Sequence, residues 1–432
     1  VLLALRRSVR LAGLPLAAAG AAADGWVRVR LGADPVAVRA AHRAAAADRT
    51  RRTLGELKGG ALKAGQLLST LEALFPADPD GSWRRALEEF QDGVAALPFV
   101  EVEPVLRADL GPDWRQRFRA FDEEASAAAS LGQVHRAIWH DGRDVAVKIQ
   151  YPGVAAALAA DLRAVSVATR LTARLAPAAT LPPLVAEMRT RLTEELDYRT
   201  EARHQQAFVD GYRDDPEVVV PDVVTATGRV LVTTWLDGTP LAAVADWPDP
   251  ARRAAVALRY QRFLLSGPAR VGWLHSDPHP GNFRVVPDGR LGVLDFGSAL
   301  RMPEGLPRSF GVLIASLGSD DPDAVTAALR AAGIVRPGAT LDAPALMAVL
   351  APFSEPARYE RFHYHRAWLA STFGGLADPR DPDFATALQL TLPAEQLFTH
   401  RVWLGIVGVL CSLDVEMPVR AELRRWLPGF AP

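Results

Sequence analysis

The chain has 432 residues, 49% of them hydrophobic, which is ample for two or more packed domains. Its 49 Lys and Arg against 50 Asp and Glu leave a formal charge of −1, so there is no basic excess to hold a nucleic-acid backbone, and nucleic acid is set aside as a partner. A single cysteine, Cys411, excludes an internal disulfide framework and a cysteine-rich zinc site; it fits a small buried apolar residue in a reducing compartment.

Residues 1–35 open with Arg6, Arg7 and Arg10 ahead of an Ala-rich run, Leu11 to Ala23, that falls short of the roughly 20 residues a membrane-spanning helix needs. The run fits a helix lying on a membrane surface, with Leu2, Leu3 and Leu5 below and the arginines above; it also fits a plain packing helix or a signal peptide. Residues 36–115 are expected to form a helical extension, interrupted at Gly59-Gly60 just before Lys63-Ala64-Gly65-Gln66. From Phe118 to Gln150 short β-like runs take over. Val134 to Trp139 and Asp144 to Gln150 flank Asp141-Gly142, a hairpin signal. Leu184 to Tyr212 reads as one long charged helix, followed by strands at Val218 to Val220 and Val230 to Trp235. After Asp237-Gly238 the chain is expected to be mainly helical, with apolar Val402 to Leu413 as a core helix. Residues 116–236 and 237–432 thus form two lobes. The class is α+β, with a small antiparallel-sheet N-lobe carrying one long helix, a helical C-lobe, and a helical N-terminal extension.

The chemistry lies in residues that match, in order, what phosphoryl transfer requires: a cover over the phosphates, a strand-borne lysine with a helix glutamate, a base-like aspartate and Mg²⁺ ligands. In Val145-Ala146-Val147-Lys148-Ile149 the three branched residues share one strand face and Lys148 takes the other. A lysine on such a strand is by itself usually just solvated. Downstream, His275-Ser276-Asp277-Pro278-His279-Pro280-Gly281-Asn282 has an aspartate followed five residues later by an asparagine, and Asp295-Phe296-Gly297 ends an apolar run. Asn282 and Asp295 are oxygen ligands suited to Mg²⁺, and Asp277 is the candidate base. A transition metal on His275, Asp277 and His279 is disfavoured, because Pro278 and Pro280 forbid the helix that would bring both rings to one face; His279 is expected to orient the loop by hydrogen bonding.

Four segments together give a specific resemblance: Leu57 through Gln66, Ala127-Ala128-Ala129-Ser130-Leu131-Gly132-Gln133-Val134-His135, Glu195-Leu196-Asp197-Tyr198, and the Asp277, Asn282, Asp295 set. Over roughly residues 50–300 the chain resembles the UbiB/AarF atypical kinases, whose Lys-x-Gly-Gln segment ordinary kinases lack. Ser276 stands where alanine is more usual. The resemblance implies a two-lobed protein-kinase-like fold with ATP and Mg²⁺ as cofactors. ATP would lie under Ala127, Ala128, Ala129, Ser130 and Gly132, with Lys148 on its phosphates and Glu201 paired to Lys148. Lys63, Gly65 and Gln66 would face Glu195 and Asp197 as a gate over the site. The adenine edge is expected near the backbone of Thr234 and Leu236.

Only a few residues separate Asp295 from Pro303-Glu304, which leaves no room for a long activation segment and its peptide platform. A protein substrate is therefore not expected. The resemblance implies a small or lipid-like, isoprenoid-quinone-related substrate, and a cytoplasmic protein with peripheral contact to the inner face of the cell membrane. The alternatives are a non-catalytic ATP-dependent switch or lipid-handling accessory protein, and an aminoglycoside- or choline-kinase-like phosphotransferase, which would not explain Lys63 to Gln66.

Overall fold

The computed structural model describes residues 96–129, 131–159, 195–318, 321–335, 355–374 and 397–430, with Leu346, Leu350 and Leu390. Residues 1–35, Lys63, Gly65, Gln66 and Ser130 lie outside the described residues. Contacts divide the chain into two units, one holding the described residues up to Asp197 with Ala226–Val232, the other Tyr198–Thr225 and those from Thr233 onward.

The first unit begins with α1 (Phe99–Leu110), whose Val102, Val105, Leu106 and Leu110 recur at helical spacing on one buried face. Antiparallel strands β1 (Phe118–Phe121), β2 (Ala127–Ala128), β3 (Gly132–Trp139) and β4 (Asp144–Gln150) follow. The expected hairpin is present, with Gly142 at φ 99, a left-handed conformation that glycine adopts without a Cβ penalty. On β4, Val145, Val147 and Ile149 are fully buried while Ala146 and Lys148 are half-buried, the alternation the strand period requires. Gln133, itself buried, docks the segment before α1 to the sheet: its amide accepts from Leu97 N–H at 2.8 Å and donates to Leu97 C=O at 3.1 Å. The C-terminal end of α1 is tied down by an Asp109–Arg229 ion pair. Burial alone would raise the Asp109 pKa, but hydrogen bonds from Arg229 and Thr227 outweigh it and leave the carboxyl below its usual range.

The second unit starts with α2 (Tyr198–Tyr212). The single helix expected from Leu184 to Tyr212 is not continuous, because residues 195–197 form a turn and coil ahead of α2. A long-range bond accompanies the break: the Leu196 carbonyl accepts from the Gln150 side chain, 46 residues earlier, at 3.1 Å, so it is satisfied without a helical N–H one turn on. After α2 come β5 (Val218–Val219), β6 (Val223–Ala226), β7 (Val230–Thr234) and β8 (Thr239–Pro240). The first sheet has the order β1-β3-β4-β7-β6.

The rest of the described residues are mainly helical, with short strands inserted. α3 (Pro250–Val271) has clear ends: Asp249 accepts from the N–H groups of Ala251 and Arg252, Pro250 opens the helix, and Gly272 closes it at φ 73. Then come β9 (Trp273–His275), β10 (Phe283–Val285), β11 (Leu291–Val293) and β12 (Ala299–Arg301). After them lie α4 (Arg308–Leu317), α5 (Pro322–Ala331), β13 (Phe362–Tyr364), α6 (Arg366–Gly374), α7 (Leu397–Leu413), β14 (Val415–Met417) and α8 (Val419–Trp426). A four-stranded sheet runs β5-β11-β10-β8, and β5 lies parallel to β11, so the strand expected at Val218 to Val220, within the range given to the N-lobe, pairs in this sheet. The core of the unit packs Phe208, Tyr260, Phe263, Phe283 and Phe296 together with the apolar face of α7.

Candidate active site

The loop leaving β9 carries Asp277 and Asn282, and it is pinned from several directions. Tyr260 on α3 donates its hydroxyl to Pro278 C=O at 2.5 Å. His279 Nδ1 accepts from Gly281 N–H at 3.1 Å, the loop-orienting role expected of it, and Asn282 N–H donates to His279 C=O at 3.0 Å. Gly405 on α7 faces Pro278 so closely that a Cβ there would lie 2.1 Å from the proline ring. Serine at position 276 is used: its hydroxyl bonds that of Ser298 at 2.8 Å and its N–H donates to Ser298 C=O.

The β10–β11 hairpin explains the spacing of Asn282 and Asp295. Phe283 pairs with Val293, so Asn282, just before β10, meets the residues just after β11; Leu294 N–H donates to Asn282 C=O at 2.9 Å. The Asn282 Nδ2 donates to Asp277 Oδ2 at 2.9 Å, which turns its amide oxygen the other way. Asp295 Oδ1 accepts from Gly297 N–H at 2.9 Å. An amide oxygen and a carboxylate supplied by adjacent segments are hard oxygen donors of the kind Mg²⁺ takes, so these residues fit that ion.

His275, only 1% exposed, points inward and bonds Asp295 C=O through Nε2 at 2.6 Å. Burial pushes its pKa down against the opposing pull of that bond and of Asp277 and Asp295, so the ring is neutral and Nε2–H is the donor. Its ring lies 5.5 Å from that of Phe296, which is fully buried and 5.0 Å from Phe208 of α2. His204 of α2 bonds Phe296 C=O at 3.2 Å. Glu201, 4% exposed on α2, has a carboxylate oxygen 3.6 Å from where a Cβ on Gly297 would stand. The helix glutamate and the Asp295-Phe296-Gly297 segment are therefore neighbours.

In the first unit, Ala127, Val134 and Lys148 form one row across β2, β3 and β4. The lysine thus shares a sheet row with the Ala-rich segment, two strands away. Ala127 and Ala128 are exposed, and Ala129 closes the turn by bonding Gly132 in both directions. Gly132 is obligatory, since a Cβ there would stand 2.0 Å from Ile149 O. Thr234 N–H is already given to Asp222 C=O at 2.9 Å, which removes it as a donor to an adenine edge; Leu236, half-buried, packs against Gly292. Glu195 and Asp197 are half-buried immediately ahead of α2.

Sequence reasoning missed Arg401. Its Nη2 donates to Asp277 Oδ1 at 3.0 Å from α7, far along the chain. The available signal was that Arg401 is the one charged side chain in the apolar helix Leu397–Leu413, apart from the titratable His400.

A strand-borne lysine row, a helix glutamate beside Asp295-Phe296-Gly297, and an Asp277–Asn282 loop define a protein-kinase-like domain. The ABC1 atypical kinase-like domain matches residues 89–329, more than half of the chain, and the chain belongs to that UbiB/AarF-type family. It is 32% identical over 260 residues to Atypical kinase coq-8, mitochondrial, of Caenorhabditis elegans, covering 59% of this chain and 34% of that protein. It is also 32% identical over 258 residues to Atypical kinase COQ8, mitochondrial, of Saccharomyces cerevisiae, covering 58% and 50%. The chain thus spans between about a third and a half of the length of these curated relatives. Among solved structures it is similar to the erythromycin complex of Rv3197 from Mycobacterium tuberculosis, with 36% identity, a TM-score of 0.69, and coverage of 92% of this chain and 100% of that one.

Proposed function

We propose that this chain is an atypical kinase or ATPase that uses Mg-ATP and acts on a small or lipid-like, isoprenoid-quinone-related molecule. The observation that carries the reading is the meeting of Asp277, Asn282 and Asp295 at the ends of the β10–β11 hairpin in a member of the ABC1 family. Mg-ATP, when bound, supplies the phosphoryl group and neutralises its charge. Asn282 and Asp295 offer the oxygen donors for the ion, and Lys148 is assigned the phosphates with Glu201 as its partner. Asp277, fixed by Asn282, orients the attacking hydroxyl or water and accepts its proton. The quinone-related substrate and peripheral membrane contact rest on the family resemblance. No helix among the described residues is long and apolar enough to cross a membrane.

A second reading is favoured by the Rv3197 complex: its erythromycin suggests a bulky macrolide as a ligand for this chain too. Mg²⁺-dependent phosphate release, measured with vesicles carrying a prenylated phenol and separately with erythromycin, tests both. The proposal expects release that the prenylated phenol stimulates and that Asp277→Asn lowers by on the order of 10²-fold or more. Nucleotide binding without any release would identify a non-catalytic switch. Stimulation by erythromycin alone would favour the second reading.

A further inference from the structure

We infer that Arg401 is a positioning residue for Asp277, delivered to the catalytic loop from a helix outside the kinase-like match. The inference rests on the proposed role of Asp277. Residues 89–329 carry the family match, and α7 lies beyond it.

Arg401 and Asn282, on different elements, are among the groups that hold the Asp277 carboxylate. Oδ1 takes the Arg401 guanidinium at 3.0 Å and Oδ2 takes the Asn282 amide at 2.9 Å. Donors at opposite oxygens set the plane of the carboxylate more closely than a donor at one oxygen does. Neither side chain stands in open water: Arg401 is 23% exposed and Asp277 20%, so the pair is screened far less than a surface ion pair.

The helix is fitted to this loop at more than one point. Arg401 and Gly405 are four residues apart and therefore on one face of α7. Arg401 meets Asp277, and Gly405 meets Pro278 one residue later, at a separation that admits no Cβ. The loop is held on another side by the Tyr260 hydroxyl on Pro278 C=O. A guanidinium serving only to satisfy itself would not need the helix brought to van der Waals contact with the loop. A misplacement of about 1 Å can cost on the order of 10²-fold in rate, so a hold on the Asp277 carboxylate bears directly on turnover.

The test compares Arg401→Gln, Arg401→Lys and Gly405→Ala with Asp277→Asn in the intact chain, reading kcat and nucleotide KM for phosphate release. The inference expects Arg401→Gln to lower kcat by about 10²-fold with KM changed less than about twofold, because the interaction is one that matters in the transition state. Arg401→Lys keeps the charge without the fork and should recover roughly tenfold of the loss. Gly405→Ala should also lower kcat, although Arg401 is intact. Arg401→Gln added to Asp277→Asn should cost nothing further, since it acts through Asp277. Hydrogen exchange of residues 275–282, readable with or without turnover, should quicken at least about tenfold in Arg401→Gln while the α3 amides keep wild-type rates.

Wild-type kcat in Arg401→Gln alongside a dead Asp277→Asn overturns this inference and leaves the proposed function standing. Full turnover in Asp277→Asn overturns both. If wild type does not turn over, unchanged loop exchange in Arg401→Gln overturns the inference, and faster exchange confined to the loop supports it.

Discussion

One residue before Arg401, His400 sits on α7 with its Nε2 buried and without a hydrogen-bond partner among the described residues, and burial pushes its pKa down to about 4. A histidine held neutral when folded and free to protonate near 6.5 when unfolded costs no stability above pH 6.5. Stability is then lost as pH falls from there towards about 4, at about 1.4 kcal/mol per pH unit. Between pH 7 and pH 5 the wild type should lose about 2 kcal/mol more than His400→Leu, read from urea midpoints. Buried His275 and His135 are shifted in the same direction, so the variant keeps a shallower acid slope. Equal slopes in the two proteins would mean that His400 titrates in the fold as it does in the unfolded chain. At this scale the sequence was informative about residues close together in the chain. Asp277, Asn282 and Asp295 announced themselves by spacing. Arg401 did not, because its partner is 124 residues away and no local periodicity records such a contact.

Among the elements, the β3–β4 hairpin was legible because Asp141-Gly142 and the alternation of Val145, Val147 and Ile149 are local signals. The start of α2 was not, because the interruption at residues 195–197 involves a bond from Gln150, and neither was the sheet to which β5 belongs. The same kind of long-range tie joins α3 to α8. Arg262 forks onto Glu422 at 2.8 to 3.1 Å and reaches Glu217 at 3.2 Å, while Trp426 Nε1–H donates to Glu422 at 3.0 Å. Glu422 is only 4% exposed, so Arg262→Met should strand its charge and cost about 2–4 kcal/mol in a denaturation series. The double variant with Glu422→Met should recover most of that loss, because an apolar pair replaces an ionic one. A single variant within about 0.5 kcal/mol of wild type would show that the network contributes nothing.

At the scale of the molecule, a small antiparallel sheet and a helical unit were foreseeable from the order of textures along the chain, and the family match accords with that reading. What composition did not convey is how many short strands the helical unit contains. β9 to β12 are three residues each, too short for a periodic signal, yet they place Asp277, Asn282 and Asp295 side by side. The account as a whole stands on Mg-nucleotide binding at that place. The direct measurement is the melting temperature of the intact chain with Mg-ATP, in wild type and in Asp295→Asn. At about 100 times Kd the ligand should add about 2.7 kcal/mol and raise the wild-type midpoint by several degrees only when Mg²⁺ is present. Asp295→Asn should match the wild-type apo midpoint and lose the Mg²⁺-dependent rise. No rise with any Mg-nucleotide, or an equal rise in Asp295→Asn, would contradict the account.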